Sequence, residues 1–337
     1  MGQKKVNELK VGSIITYINL IISTIIPLLY TPIMLRILGQ EEYGLYSLSN
    51  SVISYLTLLN FGFGTAIIRF ISKFRVEGDH DKIEGVTGLI LSIYGIIAII
   101  VCIVGFLLTK GTGLFFGTGL TVNEIQRLKV LMIVMTVSTA ISFPVSVLSS
   151  VSVAYEKYIF RKMVDMIATI ATPILNLIVL FLGYASIGLA MIGLGIQLIY
   201  GIIFIWYCKQ KLNVVPRFKD MPFYMVKEIL GFSIYVFASS IIDMLYWATD
   251  KVLIGAVLGT VAVAVYNIGG TFTSMLQNMS SAISGVFGTR VNMMVFGNQP
   301  MEKLSELLIR IGRLQYYIVS LILSGYIVSV SYTHLTL

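Results

Sequence analysis

Four stretches of this sequence set hydroxyl, amide and carboxyl side chains at spacings of three and four, the period that gathers them on one face of a helix. The longest is Asn267, Thr271, Ser274, Asn278, Ser281 and Gly285. A second carries Ser240, Asp243, Trp247 and Asp250, a third Thr16, Asn19, Ser23, Pro27 and Tyr30, and a fourth Thr139, Ser142, Ser146 and Ser149. Small polar residues in apolar helices serve either as hydrogen-bonding glue between helices or as the wall of a hydrated cavity. Four such stripes in one chain favour a shared cavity. Ser23, Tyr30, Trp247, Asn267, Thr271, Ser274 and Asn278 are the candidates to hold a polar solute there. Asp243 lies deep in its apolar stretch, where a carboxylate costs about 2.5–3.5 kcal/mol to insert and normally faces water or a partner. It is the candidate for coupling to an ion, H+ or Na+. Arg36, Arg69 and Arg290 sit at the ends of apolar stretches, where they either reach for lipid headgroups or bind a phosphate. Asp165 beside Lys162, and Asp250 beside Lys251, fit local ion pairs.

These residues need a membrane around them. The chain is 57% hydrophobic and 12% charged, about half the charge of an ordinary soluble domain. Nine apolar runs reach the roughly 20 residues needed to cross a bilayer, at about 11–35, 45–68, 85–108, 128–153, 163–183, 186–207, 229–249, 261–288 and 312–330. The first is too long for a signal peptide and lacks a cleavage site. Pro27 and Pro32 are expected to break it, with Pro144 and Pro173 repeating the device later. If the N-terminus is cytoplasmic, most of the 24 Lys and Arg fall on the cytoplasmic side. The other side keeps Arg36, Lys110, Arg127, Lys129 and Lys251. That is the positive-inside distribution, so the net charge of +8 reflects topology and not nucleic-acid binding. Cys102 and Cys208 suggest neither a disulfide framework nor a metal site, and no cofactor or ATP-binding motif is present. Gly111–Gly119 reads as a flexible loop, since no strand or Lys-Ser/Thr signature accompanies its glycines.

The order of elements repeats. Leu38, Gly39 and Tyr46 are echoed by Leu258, Gly259 and Tyr266, and Ser47, Ser51 and Ser54 by Asn267, Thr271 and Ser274. The expected fold is an all-α, integral membrane, two-lobed multi-pass bundle with about nine transmembrane helices, its site between similar lobes. The expected divisions are a six-helix lobe at residues 1–210, a basic linker at 211–228, a partial lobe at 229–330, and a tail at 331–337 of non-native character, with further helices missing beyond it.

The first helix followed by Leu38-Gly39-Gln40-Glu41-Glu42-Tyr43-Gly44-Leu45-Tyr46, together with Asp250-Lys251-Val252-Leu253-Ile254-Gly255 and Leu258-Gly259, resembles bacterial polysaccharide-biosynthesis flippases. These are the Wzx-type branch of the multidrug/oligosaccharidyl-lipid/polysaccharide exporter superfamily. The resemblance implies twelve to fourteen helices in a whole member. It also implies movement of an undecaprenyl-pyrophosphate-linked oligosaccharide across the bacterial plasma membrane by alternating access, with membrane lipids and a coupling ion as the other partners. Two alternatives remain. One is a drug/cation antiporter of the same superfamily. The other is a membrane glycosyltransferase or polymerase using Glu41 and Glu42 as paired acids.

Overall fold

The computed structural model describes residues 2–60, 63–219, 225–296 and 299–335, nearly all of them helical. Among the described residues there are nine α-helices. They are α1 Gly2–Ser54, α2 Phe63–Glu77, α3 His80–Phe116, α4 Val122–Ala154, α5 Tyr158–Phe181, α6 Ser186–Gln210, α7 Val226–Val257, α8 Thr260–Phe296 and α9 Met301–Leu335, with a 3-10 turn at Tyr55–Asn60.

The expectation of about nine membrane-crossing helices is corrected here. Among the described residues five are long and apolar enough to cross: α3, α4, α5, α6 and Met301–Val328 of α9. The expected span 45–68 is divided in three: it begins inside α1, passes through the 3-10 turn and ends in α2, whose 15 residues are too few to cross. Arg69, Lys73 and Arg75 also make α2 amphipathic. In α8 the polar stripe dilutes the apolar residues. Part of the first expected span and much of the seventh fall on residues 11–17 and 228–236, whose side chains lie largely outside the described residues.

Helix α1 runs through Pro27 and Pro32 and turns at Gly39, whose φ of 79° lies in the left-handed region. Although an interior proline removes one hydrogen bond and is expected to break the helix, its own φ is helical, and α1 carries both prolines without leaving helical backbone there. A glycine at positive φ does force it off. Gly259, the echo of Gly39, has φ 82° and separates α7 from α8. The repeated Leu-Gly is thus a repeated helix-to-helix turn.

The chain forms two units, Met1–Asn267 and Ile268–Leu337. In the first, the core is built from Leu48, Ile67, Ile90, Tyr94, Leu131, Phe143, Val147 and Phe204, with Tyr94 tilted against Phe143 at 5.7 Å. Helices α3 and α4 approach closely because a Cβ on Gly105 would run into Thr136. Asp79 caps α3, accepting from the Lys82 amide at 3.0 Å. The hydrogen bond and ion pair to the Lys82 side chain, with the Lys82 amide, hold its carboxyl below the usual range. Helix α4 opens with a capping box between Thr121 and Glu124. In the second unit Phe272 of α8 stacks on Tyr326 of α9 at 3.9 Å, and Gln315 donates to the Ser280 carbonyl at 3.0 Å.

Candidate functional site

A cavity of about 840 Å³ opens within the first unit, between the second half of α1 with its 3-10 turn, the middle of α7, and the start of α8. Helical period fixes which side chains reach it. From α1 come Tyr43, Tyr46, Ser47, Asn50, Ser51 and Ser54, and from α7 Ser240, Asp243, Met244, Trp247, Ala248 and Lys251, both series recurring at three and four. Asn267 of α8 completes the wall.

Three hydroxyls of this wall, those of Ser51, Ser54 and Thr57, direct their protons to backbone carbonyls three or four residues back. Ser51 Oγ donates to the Ser47 carbonyl at 3.0 Å, Ser54 to Ser51 at 2.7 Å and Thr57 to Ser54 at 2.6 Å, while Asn50 Nδ2 donates to Tyr46 at 3.1 Å. Each hydroxyl has one proton and two lone pairs. What these three hydroxyls keep for a ligand is therefore acceptor capacity, which suits donors such as sugar hydroxyls or an ammonium group.

Two charged groups share the α7 face. Asp243 and Lys251 are two turns apart, about 12 Å along the axis, with Trp247 between them. The neighbouring Asp250 accepts from Tyr266 Oη at 2.5 Å, so the expected Asp250–Lys251 ion pair does not form. Successive helical residues do not face each other. Lys251 continues the stripe four residues beyond Trp247 and faces the cavity. Its place was readable from that spacing and was hidden by its acidic neighbour.

Near the α7–α8 turn, beside the cavity, several contacts tie the neighbouring helices together. Asn267 Nδ2 donates to Tyr43 Oη at 2.7 Å, and Thr260 Oγ1 donates to Glu124 Oε1 at 2.5 Å. Thr118 Oγ1 donates to the Ala256 carbonyl at 2.9 Å. Glycines permit the approach: Gly44 packs directly on the Thr260 carbonyl, and a Cβ on Gly255 would come 2.6 Å from Leu48 Cδ1.

Of the residues proposed from sequence to bind a solute or an ion, Asp243, Trp247 and Asn267 line this cavity. Ser23 and Tyr30 lie earlier on α1, where Tyr30 packs against a small core of Met34, Tyr43, Leu180, Leu189 and Ala264. Arg36 is exposed just before the Gly39 turn, and Arg69 is exposed on α2. Thr271, Ser274 and Asn278 belong to the second unit, where Ser274 Oγ donates to the Gly270 carbonyl at 2.9 Å. Arg290 has its side chain outside the described residues. Asp165 accepts from Tyr200 Oη at 2.6 Å, a structural tie between α5 and α6. Glu41 and Glu42 do not act as a pair. Glu41 is exposed, while Glu42 is buried and accepts from Arg127 and from the hydroxyl of Ser186. A carboxylate so engaged is unsuited to acid-base chemistry on an outside substrate.

The family described as polysaccharide biosynthesis protein matches residues 9–287. This chain belongs to that family. With five helices among the described residues long and apolar enough to cross a membrane, the chain is a multi-pass membrane protein. Among solved structures it is similar to a MOP superfamily transporter from Pyrococcus furiosus, at 17% identity and TM-score 0.66 over 94% of this chain and 71% of that one. A multidrug resistance MATE family transporter of the MOP superfamily, in an outward-facing conformation, aligns at 16% identity and TM-score 0.63 over 96% of this chain and 73% of that one. A MATE in complex with MaD3S aligns at 17% identity and TM-score 0.64, covering 94% and 72%. At these identities the likeness establishes the fold. No curated protein matches the chain significantly.

Proposed function

We propose that this polysaccharide biosynthesis protein moves a polyprenyl-pyrophosphate-linked oligosaccharide across the plasma membrane by alternating access. The principal support is the cavity wall: spent hydroxyls that accept hydrogen bonds from a glycan, Trp247 for a sugar face, and Lys251 for a phosphate. Asp243 is the group that takes up a coupling proton or Na+. An antiporter of organic cations draws support from Asp243 and the same acceptors, but Lys251 on that wall opposes a cationic solute.

The test is leaflet-specific detection of the lipid-linked glycan in cells whose copy of the gene is deleted and which hold no redundant flippase. Accumulation in the inner leaflet, restored by the gene, is the expected result. Normal outer-leaflet delivery without the gene would exclude the assignment. Cells that handle the glycan normally but become sensitive to organic cations would favour the antiporter.

The orientation follows from the basic residues, with the N-terminus and the segment after α6 in the cytoplasm. An impermeant maleimide applied from outside is expected to label Gly113→Cys and to spare Lys211→Cys. The opposite pattern would invert the topology.

A further inference from the structure

On a different face of the first unit, away from the transport cavity, a second recess of about 710 Å³ runs between α3, α4 and α6, and its remaining wall is the segment that follows α6. We propose that this recess is a binding site for a bilayer phospholipid with an anionic headgroup, one acyl chain lying in the groove and the phosphate at Lys209.

The wall after α6 is built and held in place. Val214 N donates to the Cys208 carbonyl at 3.0 Å, and Arg217 N donates to the Glu84 carbonyl at 3.1 Å. Val215 N donates to Glu84 Oε1 at 3.2 Å, and the Arg217 guanidinium pairs with Asp81 at 2.9 Å and Glu84 at 3.5 Å. A Cβ on Gly88 would fall on the Arg217 carbonyl oxygen, so the sequence keeps room for this strap. Four polar contacts hold this short segment against α3 and one ties it to α6, so it forms a fixed wall over the groove.

Chemistry and depth decide the occupant. Val145, Leu148, Gly201, Ile205 and Pro216 give the groove an apolar lining, and Lys209 is its one charged residue. From Leu198 to Lys209 the groove follows α6 for about 16 Å, close to the reach of an acyl chain. Helices α3, α4 and α6 are all long and apolar enough to cross the membrane, so the groove is bathed in lipid tails. Lys209 stands at the end of α6, where such a helix reaches the headgroups. Among the described residues no carboxylate pairs with it, and Lys211 and Lys219 stand nearby in sequence on the same segment. An apolar slot ending in an unpaired ammonium at headgroup depth complements an anionic phospholipid.

Gly95 supplies the test. It lines the groove, and a Cβ added there meets nothing within 4 Å. Gly95→Leu therefore sends a side chain into the slot from a position where its Cβ is unopposed, and removes a helix-interior glycine. The chain is reconstituted in vesicles of equal parts phosphatidylglycerol and phosphatidylcholine, released into detergent, and weighed by native mass spectrometry. The wild type should retain one phosphatidylglycerol, about fivefold in preference to phosphatidylcholine. Lys209→Gln should keep a bound lipid and lose the preference, Gly95→Leu should lose the lipid, and Gly95→Ala should keep it. Equal retention of both lipids by the wild type, or retention unchanged in Gly95→Leu, would overturn the proposal. So would a dimer of the chain that Gly95→Leu dissociates, since the groove would then hold a second copy.

Discussion

Lys251→Gln is expected to cut delivery of the lipid-linked glycan by about tenfold to a hundredfold while leaving the protein inserted, the range for losing a charge-assisted hydrogen bond of about 1.5–3 kcal/mol. Lys251 faces the cavity one turn beyond Trp247, and its acidic neighbour is occupied by Tyr266. Removing its charge therefore strands no carboxylate and breaks no ion pair, so a loss of transport would report on the substrate's phosphates. Lys251→Arg is expected to retain most activity, because a phosphate accepts either cation where bidentate geometry is not demanded. Asp243→Asn keeps shape and removes charge, and is expected to slow delivery and to weaken its dependence on the proton or sodium gradient. Arg36→Lys and Arg69→Lys, at exposed positions outside the cavity wall, should matter only if they grip phosphate with both guanidinium nitrogens. The assay is leaflet-specific detection of the glycan in cells carrying each variant. Full delivery by Lys251→Gln would remove that residue from the site, and full, gradient-dependent delivery by Asp243→Asn would remove the ion-coupling role.

What could be read from the sequence divides along physical lines. The α7 face was legible because Ser240, Asp243 and Trp247 repeat at three and four, a spacing that survives any tertiary context. Lys251 obeys the same spacing and was lost to the pull of an adjacent opposite charge, which on a helix points elsewhere. The paired turns at Gly39 and Gly259 were visible as a repeated Leu-Gly, since only glycine takes positive φ without strain. Hydropathy could not see that the apolar run 45–68 is broken, because a 3-10 turn costs little in apolar content. Asn60, Gly62 and Gly64 were the local signs. Nor could hydropathy distinguish a proline that a helix absorbs, as at Pro27 and Pro32, from a glycine that ends one. The serines of α1 stand out in the sequence only as members of the repeat. Their service as a wall of acceptors depends on where each proton goes, which is a fact of three-dimensional geometry. The strap over α3 was beyond reach for the same reason, since Arg217 and Glu84 are far apart in sequence.

Gly44→Ala is expected to lower stability by about 1–3 kcal/mol, the usual cost of forcing a methyl into a filled contact. The neighbour decides the size of the effect. At Gly44 the new Cβ would fall on the carbonyl oxygen of Thr260, which is backbone and can yield only by moving the α7–α8 turn away from α1. At Gly105 the obstacle is the side chain of Thr136, which can rotate, so Gly105→Ala should cost less. At Gly113 nothing stands within 4 Å, and alanine there should be neutral or gain up to about 1 kcal/mol from helix propensity. Thermal unfolding of the three variants in one detergent checks the order, and equal tolerance at Gly44 and Gly113 would show that the contact is not tight in solution. The same wedge has a second consequence. The Gly44–Thr260 contact lies beside the Tyr43–Asn267 and Glu124–Thr260 hydrogen bonds that tie α1, α4 and α8 together near the cavity. Prising it apart should let a water-borne maleimide reach an Asn50→Cys probe from that side, in a chain whose Cys102 and Cys208 are replaced by serine. Labelling no faster in Gly44→Ala than in its parent would place the seal elsewhere, because a contact that closes the cavity cannot be loosened without admitting water.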